Sequence, residues 1–513
     1  MRWVAIAAAL IGVACGGKKD APPEAREAPT HSKAPDTGTG AQVKVSDLPD
    51  TSSFKVPDGT RSLQLTKTVS VRLEPNEQAR RIGTIAIDTR VRWGQTTDGK
   101  GCKKPWVEIE PRGWVCSEYL MASKKAPIGR EVPSLDRGEL VPGTYGKVTA
   151  QNQVMYSLVK PGEKKSDKKK GKKDKDKPVT STTQLVDRPP EDDAPIAPTD
   201  PDIRVVEGTM TEGNPLVGTV TVRKYDEITV GGKTYWKVDK KANEYILRSA
   251  ISQDRPSTYR GTRFGDDTGP SGPVAFVWPR GSMNATFSTA KAVGGGIVRQ
   301  TIPKRTGVEI LETANDKAGK PTAYRIGDNE WIRAGDVRVF TPSAPPEQLE
   351  ANERWIDIDL DTQILVAYEG TLAVYATMVS SGLKDTPTTT GLYRMWLKES
   401  EADMKNLKRE DPYSVATVPW TQFFFPEEDL AIHTAYWHDL FGTQRSHGCV
   451  NVAPRDARWL YFWSDPQVPP GWTMAAGVVE APGSMVRVRS KADPNPTLKG
   501  YAKKVDEARR SSG

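Results

Sequence analysis

Cysteine and histidine are scarce in this chain of 513 residues, four of each, and that confines the chemistry they support to a few places. Cys102 and Cys116 have no other cysteine or histidine near them in sequence, which argues against a zinc site. They can instead close a short loop as a disulfide in an oxidising compartment. Long hydrophobic runs are also missing. Trp3 to Ala14 is apolar but too short to span a bilayer as a mature helix. An excess of positive charge is absent from most of the chain despite a net +8. Lys164 to Lys177 holds nine Lys against three Asp and so supplies +6, leaving the rest close to balanced. This argues against a nucleic-acid partner, because a charge run of this kind is a solvated loop. Glycine and proline are plentiful, 44 and 40 residues, which favours short strands and long connections over helical bundles.

The length suggests about three or four domains. Met1-Arg2 and the apolar run form a secretory signal, residues 1–15. Its end, Leu10-Ile11-Gly12-Val13-Ala14-Cys15-Gly16-Gly17, resembles a lipoprotein processing site with Cys15 as the lipidated first residue. Gly12 stands where such sites carry Leu, and ordinary cleavage with release is the alternative. Residues 16–55, rich in Pro, Ala, Gly, Thr and charge, are expected to be a flexible tether.

Residues 56–124 alternate in short β-type runs such as Val69-Ser70-Val71-Arg72-Leu73 and Trp106-Val107-Glu108-Ile109, the pattern of a small β-barrel. The ending Gly113-Trp114-Val115-Cys116-Ser117-Glu118-Tyr119-Leu120 resembles bacterial SH3-like domains, which accompany cell-wall enzymes. Similar endings recur at Tyr245-Ile246-Leu247-Arg248-Ser249-Ala250-Ile251 and Glu330-Trp331-Ile332-Arg333-Ala334-Gly335-Asp336-Val337. They predict a second β region at 138–255, interrupted by a Lys/Pro-rich insertion at 162–202, and a third at 272–342. Ala344-Pro345-Pro346-Glu347 leads into a β-meander beginning Trp355-Ile356-Asp357-Ile358-Asp359-Leu360. A short surface helix is expected at 398–411, another helix at Asp456 to Trp463, and a loosely ordered polar tail at 490–513.

The chemistry concentrates in Arg445-Ser446-His447-Gly448-Cys449-Val450-Asn451, with His433 upstream in Ala431-Ile432-His433-Thr434. A cysteine nucleophile needs an imidazole to take its proton and flexible backbone whose N–H groups can surround an oxyanion. Gly448 supplies the flexibility. His447, two residues from Cys449, and the more distant His433 compete for the role of base. A buried structural thiol is the bland reading of Cys449, and a zinc site from His433, His438, His447 and Cys449 matches no familiar spacing.

This pattern resembles the signature of L,D-transpeptidases, the YkuD-type catalytic domain that remodels bacterial peptidoglycan. Ala435-Tyr436-Trp437-His438, Phe441-Gly442, Val452 to Leu460 and Thr386-Pro387-Thr388-Thr389-Thr390-Gly391-Leu392-Tyr393 extend the likeness, which covers residues 353–489. It implies a mainly β protein, with a C-terminal β-sandwich carrying short helices, preceded by two or three small SH3-like β-barrels. It also implies Cys449 as nucleophile and His433 as proton donor and acceptor, held by the backbone carbonyl of Thr434. His447 would shape the site, and the amides of His447, Gly448 and Cys449 would bind the oxyanion. Ser446 would orient His447 or cap the turn. Tyr436, Trp437 and His438 would line the cleft, core packing being an equal use for Trp437. Arg445 and Asn451 would contact an anionic peptide stem.

The reaction so implied is acyl transfer through a thioester, without a cofactor. Tetrapeptide stems are the donor partner, an amine on another stem or a protein the acceptor, and a membrane the partner of the lipid anchor in a periplasmic envelope location. The Lys-rich run could touch acidic wall polymers or anionic lipid. A carboxypeptidase that trims stems, or an inactive peptidoglycan-binding lipoprotein, are the alternatives.

Overall fold

The three aromatic-rich endings share one local build: a strand, a single 3-10 turn and a second strand. Trp114–Cys116, Ser117–Tyr119 and Leu120–Ser123 make the first. Tyr245–Leu247, Arg248–Ala250 and Ile251–Gln253 make the second. Glu330–Arg333, Ala334–Asp336 and Val337–Val339 make the third. Each turn carries the chain from one sheet into another. Tyr245–Leu247 pairs with Lys233–Lys237, whereas Ile251–Gln253 pairs with Thr144–Val148. A turn this tight redirects a strand round a sheet corner within three residues.

The computed structural model describes residues 55–149, 152–162, 203–264, 273–279, 287–289, 300–328, 330–340, 344–351, 353–407 and 412–512. The signal segment with Cys15, nearly all of the tether and nearly all of the Lys/Pro-rich insertion lie outside the described residues. Among the described residues no helix is long and apolar enough to cross a membrane. The first β region carries a Cys102–Cys116 disulfide.

No sequence pattern announces how these regions meet the C-terminal part. Strand β1 (Arg81–Ile85) of the first region pairs antiparallel with Trp472–Ala476. Gly83 is needed there because a Cβ would lie 1.9 Å from the Trp472 ring. Strand β2 (Thr219–Lys224) of the second region runs parallel to the start of Tyr413–Phe425, with Thr219 opposite Tyr413. Strand β3 (Thr262–Arg263) lies against Leu372–Met378. Every docking uses an edge that would otherwise be open.

In the C-terminal part, alternation in the sequence becomes a sandwich. β4 (Arg354–Asp359), β5 (Ile364–Glu369) and β6 (Leu372–Met378) form an antiparallel meander; β7 (Gly391–Arg394) completes that sheet through Met485–Arg489. The facing sheet contains β8 (Leu397–Asn406), β9 (Tyr413–Phe425), β10 (Leu430–Thr434) and β11 (Val450–Val452), then α1 (Pro454–Trp463) and β12 (Trp472–Ala476). β13 (Met485–Arg489) returns to the first sheet parallel to β4. Ile356, Ile358 and Leu365 of one sheet meet Trp420, Phe424, Ile432 and Val450 of the other in one buried cluster. At roughly 1.5–3 kcal/mol for each fully buried large side chain, that cluster is the principal source of stability.

Two expectations are corrected. Residues 398–411 were expected as a surface helix, but β8 is a strand: Lys398, Ser400 and Ala402 alternate inward, so tertiary burial overrides the helix-forming composition. Lys398 is buried, and its ammonium donates to the carbonyls of Tyr461 (2.8 Å) and Ser464 at the C-terminal end of α1. The tail is not loose. It forms α2 (Tyr501–Ser512), which buries Tyr501, Ala502 and Val505.

Candidate active site

The segment 446–449 turns sharply into β11, and a threonine-rich loop holds that turn. Gly448 has φ of 130°, a conformation that side chains resist. Ser446 Oγ accepts from the Gly448 N–H at 3.1 Å and donates to the Cys449 carbonyl, so Ser446 caps the turn. The Gly448 amide, one of the three expected oxyanion donors, is thereby engaged inside the turn. Thr388 Oγ1, buried, donates to the Gly448 carbonyl at 2.6 Å and accepts from the Gly382 N–H at 2.9 Å. Thr386 Oγ1 donates to the Ser446 carbonyl at 3.1 Å. The Thr-Pro-rich stretch was legible as a family feature, but this role for Thr388 and Thr386 was not.

Cys449 is not part of the disulfide and is partly exposed, and its Sγ lies 3.6 Å from the Asp429 carbonyl, just before β10. β10 and β11 run parallel, with Ile432 opposite Val450 and His433 opposite Asn451. The pairing brings His433 to the strand that follows the nucleophile. His433 is buried, and its Nδ1 lies 2.9 Å from the Thr434 carbonyl. A carbonyl only accepts, so Nδ1 carries the proton and Nε2 keeps its lone pair. Burial lowers the His433 pKa to about 4, against a smaller raising effect of the Thr434 bond.

His438 stands on the loop after β10. Leu440 N–H donates to its Nδ1 at 3.2 Å, and its Nε2 lies 3.2 Å from the side-chain nitrogen Nδ2 of Asn451. Burial, then the charge of Arg445, lowers the His438 pKa to about 4. Trp437 is partly buried, with its ring centre 5.9 Å from that of His433. His447 stacks on Tyr413 of β9 at 4.8 Å. Arg445 is exposed, and its backbone N–H donates to the Ser381 carbonyl at 2.8 Å.

Tyr436 does not line a cleft. It is fully buried, stacks on Tyr145 of the second β region at 4.0 Å and donates to the Ala416 carbonyl. Its place in the sequence beside Trp437 gave no sign of this, because the partner lies some three hundred residues away in the chain. The site therefore joins Cys449, Ser446, Gly448 and Asn451 to His433, Thr434, Trp437 and His438 through the pairing of two short strands. Cys102 and Cys116 belong to the first β region and take no part.

Residues 353–488 match the family model YkuD, the L,D-transpeptidase catalytic domain. A Bacillus subtilis (strain 168) protein named "Putative L,D-transpeptidase YciB" is 28% identical over 121 residues, which is 21% of this chain and 59% of that protein. The chain thus spans less than two thirds of the length of this curated relative. Among solved structures, an Enterococcus faecium L,D-transpeptidase mutant is 24% identical, covering 27% of this chain and 50% of the other at a TM-score of 0.22. An L,D-transpeptidase from Mycobacterium smegmatis is 20% identical, covering 31% and 65%, also at 0.22. Scores this low add nothing to the reading, which rests on the family match. Among the described residues the protein is mainly β, and its C-terminal part matches the L,D-transpeptidase catalytic domain over residues 353–488.

Proposed function

We propose that the protein is a peptidoglycan L,D-transpeptidase with Cys449 as nucleophile and His433 as its base. The observation that carries the reading is the His433 tautomer. With Nδ1–H committed to the Thr434 carbonyl and burial keeping the ring neutral, Nε2 is available to take the thiol proton at neutral pH. The thiolate sulfur adds to the carbonyl carbon of the third stem residue, and the oxyanion is met by the backbone amides of His447 and Cys449, the Gly448 amide being held by Ser446. The bond from that carbonyl to the nitrogen of D-alanine breaks, His433 returns its proton to the departing amine, and a thioester remains. An acceptor amine then attacks the thioester while His433 takes its proton and the thiol is restored.

Trp437, His438, Arg445 and Asn451 are read as the substrate side of the site, and the β regions as SH3-like modules that hold the wall. The segment ending at Cys15 is read as the anchor of an envelope lipoprotein. Water in place of the amine would make the enzyme a carboxypeptidase, and the products distinguish the two.

Intact-mass analysis with a tetrapeptide-stem muropeptide tests the proposal. The wild type is expected to gain the mass of the acyl group and release D-alanine, and Cys449→Ala to do neither. A wild type that neither gains mass nor releases D-alanine would remove the enzyme reading.

A further inference from the structure

The loop 437–442, which carries Trp437 and His438, is gripped from outside the matched catalytic domain. Arg305 of the third β region donates to both carboxylate oxygens of Asp439 at 2.6 and 2.7 Å and to its carbonyl at 3.3 Å. Ser257 Oγ donates to the same carboxylate. The Arg305 guanidinium also lies 4.8 Å from the ring centre of Tyr259, whose hydroxyl accepts from the Met378 N–H at 3.0 Å and whose ring faces Phe441. At the other end of the loop, Arg338 donates to the carbonyls of Gly442 at 2.7 Å and Thr362 at 2.8 Å. Trp278 covers Gly442 so closely that a Cβ there would lie 2.3 Å from its ring.

Two features separate this grip from an ordinary surface ion pair. The Arg305 side chain is only 18% exposed, and its fork meets the carboxylate in two parallel bonds, the geometry that makes an Arg pair directional. Its backbone has φ of 71°, a left-handed conformation that is unfavourable for a non-glycine residue and persists where the surroundings enforce it. Asp439 directly follows His438, and His438 pairs with Asn451 on the strand that follows Cys449. The path from Arg305 to the nucleophile strand is thus a chain of named contacts.

We propose that Arg305 is a positioning residue of the active site, fixing the 437–442 loop through Asp439 so that His438 and Asn451 hold the substrate side of the cleft in register with Cys449. The proposal rests on the transpeptidase reading. It assigns the third β region a part in the chemistry, beyond any contact it makes with the wall.

The test uses the whole chain and follows acylation by the tetrapeptide-stem muropeptide in single turnovers. Arg305→Ala is expected to slow acylation about 10- to 100-fold at saturating substrate, the loss that a misplacement of about 1 Å produces, with an unchanged melting curve. Arg305→Lys, which keeps the charge but loses the fork, is expected to fall between, and the exchanged pair Arg305→Asp with Asp439→Arg to recover most of the rate. Arg325→Ala breaks an exposed pair with Glu312 on the same β region and serves as the unaffected control. Wild-type rates in Arg305→Ala overturn the inference. If Arg305→Ala melts early, the exchanged pair decides: folded and fast supports positioning, folded and slow overturns it. A wild type that is not acylated at all rejects the transpeptidase reading instead.

Discussion

The proposed mechanism needs, at residue 433, an imidazole that is neutral when the thiol gives up its proton, and burial supplies one. The folded pKa of about 4 lies below the ordinary value of 6.5. Between these values the folded state binds fewer protons than the unfolded chain, so the stability associated with neutral His433 is complete above about pH 6.5 and is lost as pH falls toward 4. The full span corresponds to about 3 kcal/mol at roughly 1.4 kcal/mol per unit. Asp456 opposes this trend. Its carboxyl accepts from Tyr375, Thr377 and the Gly261 N–H, yet burial raises its pKa to about 6, so its contribution is complete below 3.8 and fades as pH rises through 6. Activity is the cleaner readout. The acid limb of the acylation rate is expected below pH 6.5 and toward 4, measured with the muropeptide between pH 4 and 8; a limb centred at 6.5 would show an exposed, unperturbed base. His433, Cys449 and Gly448 could be singled out from the sequence as candidates. Thr388 could not, because one hydroxyl bonding two backbone groups of separate loops leaves no pattern in sequence.

Among the elements, α2 shows how a polar stretch can hide an ordered one. Tyr501, Ala502 and Val505 face inward at helical spacing, while Arg509 reaches Glu353 at 2.8 Å, and Glu353 also pairs with the buried Arg394. Removing residues 491–513 uncovers these side chains, at a cost on the order of 5 kcal/mol. The truncated protein is expected to melt several degrees below the full chain in a thermal scan, and an unchanged midpoint would mean that the helix is dispensable. Helix α1 was expected from the sequence over Asp456 to Trp463, and the strands of the meander were legible from their alternation. β8 was misread because Lys, Glu and Ala favour helix locally; its buried Lys398 satisfies carbonyls of α1 that no local rule could connect to it.

For the whole molecule, the β regions were legible as separate runs of short strands with recurring endings, but their attachment was not. Strand pairing between distant segments depends on which edges remain open after folding, and composition does not encode that. A fragment of residues 353–489 leaves β12 and the start of β9 without β1 and β2. Size-exclusion chromatography is expected to show it aggregated, whereas a monomeric, folded fragment would mean that the added strands are ornamental. The junction at Gly83 and Ala475 has a further consequence, in the order of events during synthesis. Residue 83 leaves the ribosome long before residue 475 exists, and pairing over such a separation is slow to find. The first β region must therefore wait with one flank uncovered until nearly the whole chain has emerged. Anything that shields that flank meanwhile, or delays its exposure by keeping the chain extended, would raise the yield of active protein without touching a single contact in the finished fold.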